Sequence, residues 1–237
     1  MRKAPVAAPR PAHDRSTSPR GDAEIRVVAI DGPAGAGKST LARSLAEHLG
    51  VERLDTGAMY RAVAWSALRH RIDVSDAEAV ARLARDTAIE VGERVVVDGE
   101  DATAAIRSAA VDSAVSAVAA NPAVRAELVA RQRAWVAERG RGVVEGRDIG
   151  SVVLPDADLK VYLTAATETR ARRRARERAE GRSVDAVHDD LVRRDRLDST
   201  RLASPLPSPE DVAADAKVID STGKSSRAVF EEVLACL

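Results

Sequence analysis

The segment between residues 25 and 50 constrains the fold more than any other part of the sequence. The short β-branched run Ile25–Ile30 leads into a loop, Gly32–Ser39, that matches the pattern G-x-x-x-x-G-K-[ST]. Leucines then recur at helical spacing, and Gly50 follows them as a stop signal. The pattern predicts a buried strand, a tight glycine-rich loop and a helix in direct succession.

This loop has the composition of a phosphate-binding site. Glycines let the backbone wrap closely around an anion, with successive N–H groups pointing inward. The N-terminal end of the following helix adds partial positive charge, Lys38 supplies a full charge, and the Ser39 hydroxyl can bind Mg²⁺. We expect the triphosphate of a purine nucleotide to bind at Gly32, Pro33, Ala34, Gly35, Ala36, Gly37, Lys38, Ser39 and Thr40.

The rest of the chain predicts an α/β fold. Short apolar strands at 142–146, 158–164 and 217–220 alternate with helical segments, which implies a parallel sheet with helices on both faces. Residues 88–101 alternate apolar and polar side chains around two glycines, and predict a small inserted antiparallel sheet. The other segments are expected to form a strand and turn at 52–57, Ala-rich helix at 103–139, and two helices at 167–179 and 184–197.

Charge and cysteine content exclude several classes of protein. Lys plus Arg equals Asp plus Glu, at 37 each, so the chain has no bulk charge suited to nucleic acid or a membrane surface. The single cysteine, Cys236, cannot form an internal disulfide or a CxxC metal site. No apolar run approaches the ~20 residues of a membrane span. We expect a cytoplasmic protein whose residues 1–24, rich in Pro, Ala, Arg and Ser, form a disordered N-terminal extension.

The loop alone leaves kinases, GTPases and mechanical ATPases open. The Asn-Lys-x-Asp element that reads guanine in a GTPase is absent from the sequence. An apolar strand ending in an acidic residue, which motor and transporter ATPases carry, is matched only weakly by Val143–Gly146. A small phosphotransferase is the function that fits best.

Arginines occur where a phosphotransferase would need to gather two anionic groups. Arg61 follows the second predicted strand, and Arg147 follows the third, at the carboxyl edge where such sheets bind ligands. Six arginines between residues 170 and 178 crowd one helix and predict a mobile lid over ATP, about residues 170–195. A nucleic-acid patch is the rival interpretation, but the segment lacks interleaved aromatic side chains.

Four motifs resemble bacterial cytidylate kinases, which are nucleoside monophosphate (NMP) kinases. They are the segment 30–40, the run Leu54–Arg61, the run Glu145–Gly150 with the following Val-Val-Leu-Pro-Asp-Ala, and the segment 193–205. They stand in the family's order and spacing, and the resemblance covers the chain from about residue 25 to its end. It implies a P-loop kinase domain at 25–237, with an NMP-binding part enlarged by an insertion at about 55–140, and a helical lid.

The resemblance also implies an activity and its residues. It implies transfer of the ATP γ-phosphate to CMP or dCMP by a Mg²⁺-dependent monomer. Lys38, Arg61 and Arg147 are the expected catalytic residues, Ser39 the metal ligand, and Arg174 and Arg178 the lid arginines that meet ATP. The expected CMP-binding residues are Asp55, Thr56, Arg61, Ser116, Arg125, Arg147, Asp148, Arg194, Asp198 and Arg201.

Physical chemistry agrees with this assignment but leaves alternatives open. An Asp can accept a hydrogen bond from the exocyclic amine of cytosine, and an Arg can donate to N3 and O2, so Asp148 would discriminate against UMP. A phosphate acceptor is already anionic and needs no general base, so the acids read the substrate or orient arginines. For Asp55 a simple turn cap remains equally open. Another small-molecule kinase, or a nucleotide-dependent nucleic-acid binder, remains the alternative function.

Overall fold

The computed structural model describes residues 26–177, 184–200, 205–212 and 214–237, so the predicted extension at 1–24 lies outside it. The strands, in chain order, are β1 (Val27–Asp31), β2 (Arg53–Asp55), β3 (Ile89–Val91), β4 (Val95–Val97), β5 (Glu100–Asp101), β6 (Gly142–Glu145), β7 (Leu159–Thr164) and β8 (Ala216–Asp220). The helices are α1 (Lys38–Leu49), α2 (Thr56–Arg69), α3 (Ala77–Asp86), α4 (Ala109–Ala120), α5 (Pro122–Arg139), α6 (Thr167–Glu177), α7 (Val184–Thr200) and α8 (Ser226–Leu234).

Five strands form one parallel sheet in the order β2-β6-β1-β7-β8. Strand β1 lies at the centre, between β6 and β7. Because neighbouring strands are parallel, their carboxyl ends meet at one edge of the sheet, where folds of this kind bind ligands. The predicted parallel sheet is confirmed.

Helices cover both faces of this sheet, as predicted. On one face, α2, α3, α4 and α5 bury side chains such as Leu128 against Val144 of β6. On the other face, α1 and α8 bury Leu45 and Val233 against the strands. The chain is only 2% aromatic, so these clusters are built chiefly from Ala, Val, Leu and Ile.

The predicted insertion is also confirmed as a second, small sheet. Strands β3, β4 and β5 pair antiparallel within residues 89–101. Val95 and Val97 of β4 are buried in one cluster with Ala58 and Ala62 of α2. The small sheet is thereby anchored to the helix that begins directly after β2.

Some predicted boundaries are wrong, and helix caps explain those at α2, α4 and α5. No separate turn follows β2, because the Asp55 carboxylate accepts from the Ala58 N–H at 3.1 Å and starts α2 at once. The predicted helix at 103–139 is divided, because Ser108 caps α4 and Asn121 caps α5. Helix α7 extends to Thr200, beyond the predicted end at 197.

Candidate active site

The glycine-rich loop joins β1 to α1 at the carboxyl edge of the central sheet. Gly32 has φ 139°, and a Cβ atom there would lie 2.0 Å from the Leu163 carbonyl oxygen of β7. Gly37 has φ 101° at the residue before α1. Residues with a side chain rarely adopt these positive φ values, so the loop conformation requires glycine at both positions.

Lys38 is buried beneath this loop. Its Nζ donates to the carbonyl oxygens of Gly32 and Pro33, each at 2.8 Å. Burial, and then the charge of Arg147, lower the pKa of Lys38 to about 7. The ammonium group is therefore held where an anion would stabilise its charged form.

Glu145, at the end of β6, lines the cleft but is not among the site residues predicted from the sequence. The Ser39 hydroxyl donates to its Oε2 at 2.8 Å, while its Oε1 has no hydrogen-bond partner among the described residues and lies 3.8 Å from Arg53 Nη1. Burial, and then the charge of Asp55, raise the pKa of Glu145 to about 7. The feature of the sequence that points to Glu145 is its position at the acidic end of an apolar strand, a pattern that this segment matches only weakly.

One cleft of about 580 Å³ joins the loop to a group of arginines, a volume within the range of small-molecule sites. Lys38 and Ser39 of the loop line it. The arginines that line the same cleft include Arg61, Arg147, Arg174 and Arg194. The arginines therefore share the cleft with the loop although they come from four different segments.

These arginines are held by specific partners. Arg61 is buried; its Nη1 donates to the Ile106 carbonyl oxygen at 2.9 Å, and its Nη2 forms an ion pair with Asp112. Arg147 Nε donates to Asp198 Oδ2 at 3.1 Å. These contacts hold two guanidinium groups at the cleft.

A second pocket adjoins this cleft and contains the other predicted acceptor residues. It is lined by Thr56, Tyr60, Ser116, Arg125, Asp148 and Asp198, and it shares Gly57, Gly146, Arg147 and Arg194 with the first cleft. Arg125 and Asp148 are both buried and form an ion pair. The pocket therefore presents an acceptor and a donor side by side, next to the hydroxyl groups of Tyr60 and Ser116.

Asp55 and Thr56 are positioned by the junction between β2 and α2. Asp55 caps α2, in agreement with the interpretation of this residue as a turn cap. It also lines the first cleft, where Arg107 Nη2 lies 4.0 Å from its Oδ2. The Thr56 hydroxyl donates to the Glu145 carbonyl oxygen at 2.7 Å. This bond connects the second pocket to the strand that carries Glu145.

Helices α6 and α7 pack against the glycine-rich loop. Ala34 of the loop is buried with Ala171, Val187 and Leu191 of these helices. Arg170, itself buried, donates to the Ala34 carbonyl oxygen at 3.2 Å. This helix pair therefore covers the loop closely.

The arginines of α6 divide into two kinds. Arg170 pairs with Asp195 at 2.6 Å, and Arg173 donates to the Ala36 carbonyl oxygen at 3.1 Å, so both brace the protein itself. Arg174 instead lines the cleft. Arg178, and Arg201 beyond α7, lie outside the described residues.

Most described residues of the predicted site line the two adjoining compartments. The loop contributes Ala34, Gly35, Lys38 and Ser39 to the first cleft, and each described acceptor residue lines one compartment or both. Thr40, exposed on α1, instead lines a separate pocket together with Ala36 and Gly37. Among the described residues, no helix is long and apolar enough to cross a membrane.

A phosphate-binding loop on a parallel α/β sheet, facing clustered arginines across one cleft, defines a P-loop kinase. The family model described as Cytidylate kinase matches residues 28–237. The chain belongs to the cytidylate kinase family.

Individual relatives agree with the family match. The chain is 50% identical over 217 residues to the cytidylate kinase of Pelotomaculum thermopropionicum, covering 88% of this chain and 94% of the relative. It is 53% identical over 201 residues to that of Rhodococcus opacus, covering 80% and 86%. A solved structure of an uncharacterized protein from Eubacterium ventriosum superposes with a TM-score of 0.52 at 11% identity, covering 89% of this chain and 97% of that one, which supports the fold alone.

Proposed function

We propose that this protein transfers the γ-phosphate of ATP to CMP or dCMP, giving ADP and CDP or dCDP. The observation that carries the proposal is a cleft that Lys38 and Ser39 line together with Arg61 and Arg147, next to the pocket that contains Arg125 and Asp148. A kinase acting on a nucleotide needs these three parts in this order: a donor site, a phosphate clamp and a site for the base.

On the donor side, the glycine-rich loop and Lys38 bind the triphosphate of ATP. The Lys38 ammonium donates to two carbonyl oxygens of its own loop. Phosphate oxygens replace those weaker acceptors and stabilise the charged form of the amine. Arg174 reaches the same cleft from α6, and we assign it to the ATP phosphates.

The residues at the end of β6 fit a Mg²⁺ site. Ser39 and Glu145 offer hard oxygen ligands side by side, and Glu145 Oε1 has no hydrogen-bond partner among the described residues. No cluster of three or more His, Cys, Asp or Glu side chains in the described part of the chain could hold a metal unaided, so ATP oxygens complete the ligand set. When bound, Mg²⁺ neutralises charge that develops on the transferred group.

On the acceptor side, Arg61 and Arg147 bind the phosphate of CMP. Their planar guanidinium groups match phosphate oxygens in pairs and hold the acceptor in line with the donor. A phosphate monoester is already a nucleophilic anion, so no base has to remove a proton. Positioning and electrostatic stabilisation by Lys38, Arg61 and Arg147 therefore supply most of the rate.

We assign cytosine to the pocket beside this clamp. Asp148 accepts from the exocyclic amine, and Arg125 donates to the ring acceptors. Thr56 lies beside them, while Ser116, Arg194 and Asp198 line the side of the pocket that we assign to the ribose. Arg201 belongs to the same proposed set but lies outside the described residues.

The larger parts of the protein follow from these roles. We assign residues 55–140 to acceptor binding and residues 170–195 to a lid that closes over ATP and excludes water. We further propose that the protein acts as a cytoplasmic monomer.

An acceptor panel tests the proposed function. ADP release would be measured with CMP, dCMP, UMP and AMP, each with MgCl₂ and with EDTA. We expect CMP or dCMP to give the highest kcat/KM and EDTA to abolish transfer. A higher kcat/KM for UMP, AMP or a non-nucleotide acceptor would contradict the proposal.

A further inference from the structure

One carboxylate, that of Asp112, lies among three arginines of the cleft. Its Oδ1 forms an ion pair with Arg61 Nη2, and lies 3.7 Å from Arg194 Nη1 and 3.9 Å from Arg174 Nη2. These arginines come from α2, α7 and α6, whereas Asp112 stands in the first turn of α4. An acidic side chain therefore occupies the point at which four helices converge.

The three positive charges around Asp112 exceed the single negative charge that its carboxylate supplies. The Arg194 Nε is buried and has no hydrogen-bond partner among the described residues. Burial, and then the neighbouring charges of Arg147 and Arg61, lower the pKa of Arg194 to about 9. An anion with several oxygens would satisfy this cluster better than Asp112 alone.

We propose that Asp112 is an internal competitor of the acceptor phosphate: its carboxylate holds Arg61, and the phosphate of CMP takes over that guanidinium group. The inference rests on the proposed function, since it assigns Arg61 to that phosphate. A carboxylate carries one charge and two oxygens, whereas a phosphate monoester carries nearly two charges and three oxygens. CMP can displace Asp112 for this reason, while weaker anions are kept out.

Helix α4 links this exchange to the rest of the acceptor site. Asp112 and Ser116 are four residues apart and therefore lie on the same face of the helix. Both line one pocket between α4 and α7, and Ser116 also lines the pocket proposed for the nucleoside. One face of α4 therefore carries both the competing carboxylate and a proposed ribose contact.

A competitor and a positioning residue make opposite predictions for Asp112→Asn, which keeps the shape and removes the charge. If Asp112 competes with the phosphate, D112N binds CMP and inorganic phosphate more tightly, by about tenfold, because one like charge is lost a few ångströms away. If Asp112 instead orients Arg61 during the reaction, D112N raises the KM for CMP and lowers kcat.

Calorimetric titration of CMP and of inorganic phosphate into both proteins would measure these affinities. Glu78→Gln is the matched control, because it removes a first-turn acid of α3 that pairs with Arg82 away from the cleft. D112N is expected to lower the Kd of both anions and the KM for CMP, and E78Q to leave them unchanged. Asp112→Ser, a smaller neutral side chain, should show the same tightening if D112N folds poorly.

Unchanged or weaker binding of CMP by D112N and D112S would overturn the inference. So would a fall in kcat accompanied by a rise in KM. Both results leave the proposed function standing, because that function fails only if the unaltered protein does not prefer CMP or dCMP in the acceptor panel.

Discussion

On the donor side of the cleft, most of the polar groups belong to one short stretch of backbone between β1 and α1. On the acceptor side, they belong to side chains from α2, α4, α5, α7 and the segment after β6, and most are tied in ion pairs. Arg61 with Asp112, Arg125 with Asp148 and Arg147 with Asp198 are the pairs concerned. The donor side is thus a fixed backbone cradle, whereas the acceptor side is a set of paired charges that substrate must rearrange.

The largest effect is expected at Lys38, where the donor side depends on one side chain. Lys38→Met should lower kcat by about a thousandfold, because it removes the charge that stabilises the transferred phosphoryl group. The matched control is Lys217→Met, on the exposed edge strand β8, which should leave kcat unchanged. Steady-state kinetics with CMP would measure both. Near-normal activity of K38M would contradict the assigned role of the loop.

A smaller and more selective loss is expected at Arg147, on the acceptor side. Arg147→Ala should lower kcat/KM for CMP by about a hundredfold through loss of charge-assisted hydrogen bonds, while the KM for ATP changes little. Thermal unfolding would show whether the Asp198 carboxylate, left without this partner, destabilises the fold. Arg196→Ala, exposed on α7, serves as the control. An equal rise in both KM values would contradict the division into two sides.

The two sides differ in how much of each the sequence predicts. Gly32 and Gly37 identify the loop in the sequence, because glycine is the residue that readily adopts their positive φ values. At Gly32 the close approach of Leu163 also leaves no room for a side chain. The second sheet also follows from a local pattern of alternating apolar and polar residues. Asp112 and Glu145 could not be placed in this way, because their partners are 51 to 106 residues away in sequence, and nothing local marks the partners of a carboxylate.

The arginine-rich helix shows the same limit. The sequence predicts a cluster of arginines facing ATP. It does not distinguish the arginines that bond to the protein itself from those that line the cleft. Arg170 and Arg173 turn to carbonyl oxygens of the loop, whereas Arg174 lines the cleft. Which arginine faces which way depends on how α6 packs against Ala34, and that is a tertiary contact.

Asp31 connects the two sides and should give the smallest effect, on stability. Its carboxylate accepts from the N–H groups of Ile149 and Gly150, at 2.6 and 2.8 Å, and so joins the end of β1 to the segment after Arg147 and Asp148. Burial raises the pKa of Asp31 from 3.8 to about 6. The folded protein therefore favours the neutral acid.

The sign of the pH dependence follows from that shift. The stabilisation linked to Asp31 protonation is complete below pH 3.8 and is lost as the pH rises through about 6. Between pH 5 and pH 8, the free energy of unfolding should fall by about 1 kcal/mol relative to Asp31→Ala. Denaturant unfolding of both proteins at the two pH values measures this. A difference that stays constant or grows with pH would contradict it.

We propose above all that Asp148 recognises cytosine on the acceptor side. The selectivity of the protein for CMP over UMP tests this proposal most directly. The measurement is the ratio of kcat/KM for CMP to kcat/KM for UMP, in the unaltered protein and in Asp148→Asn. The amide can donate to the uracil oxygen that a carboxylate repels, so the ratio should fall by at least about tenfold. A D148N protein that remains folded and active with an unchanged ratio would contradict the account.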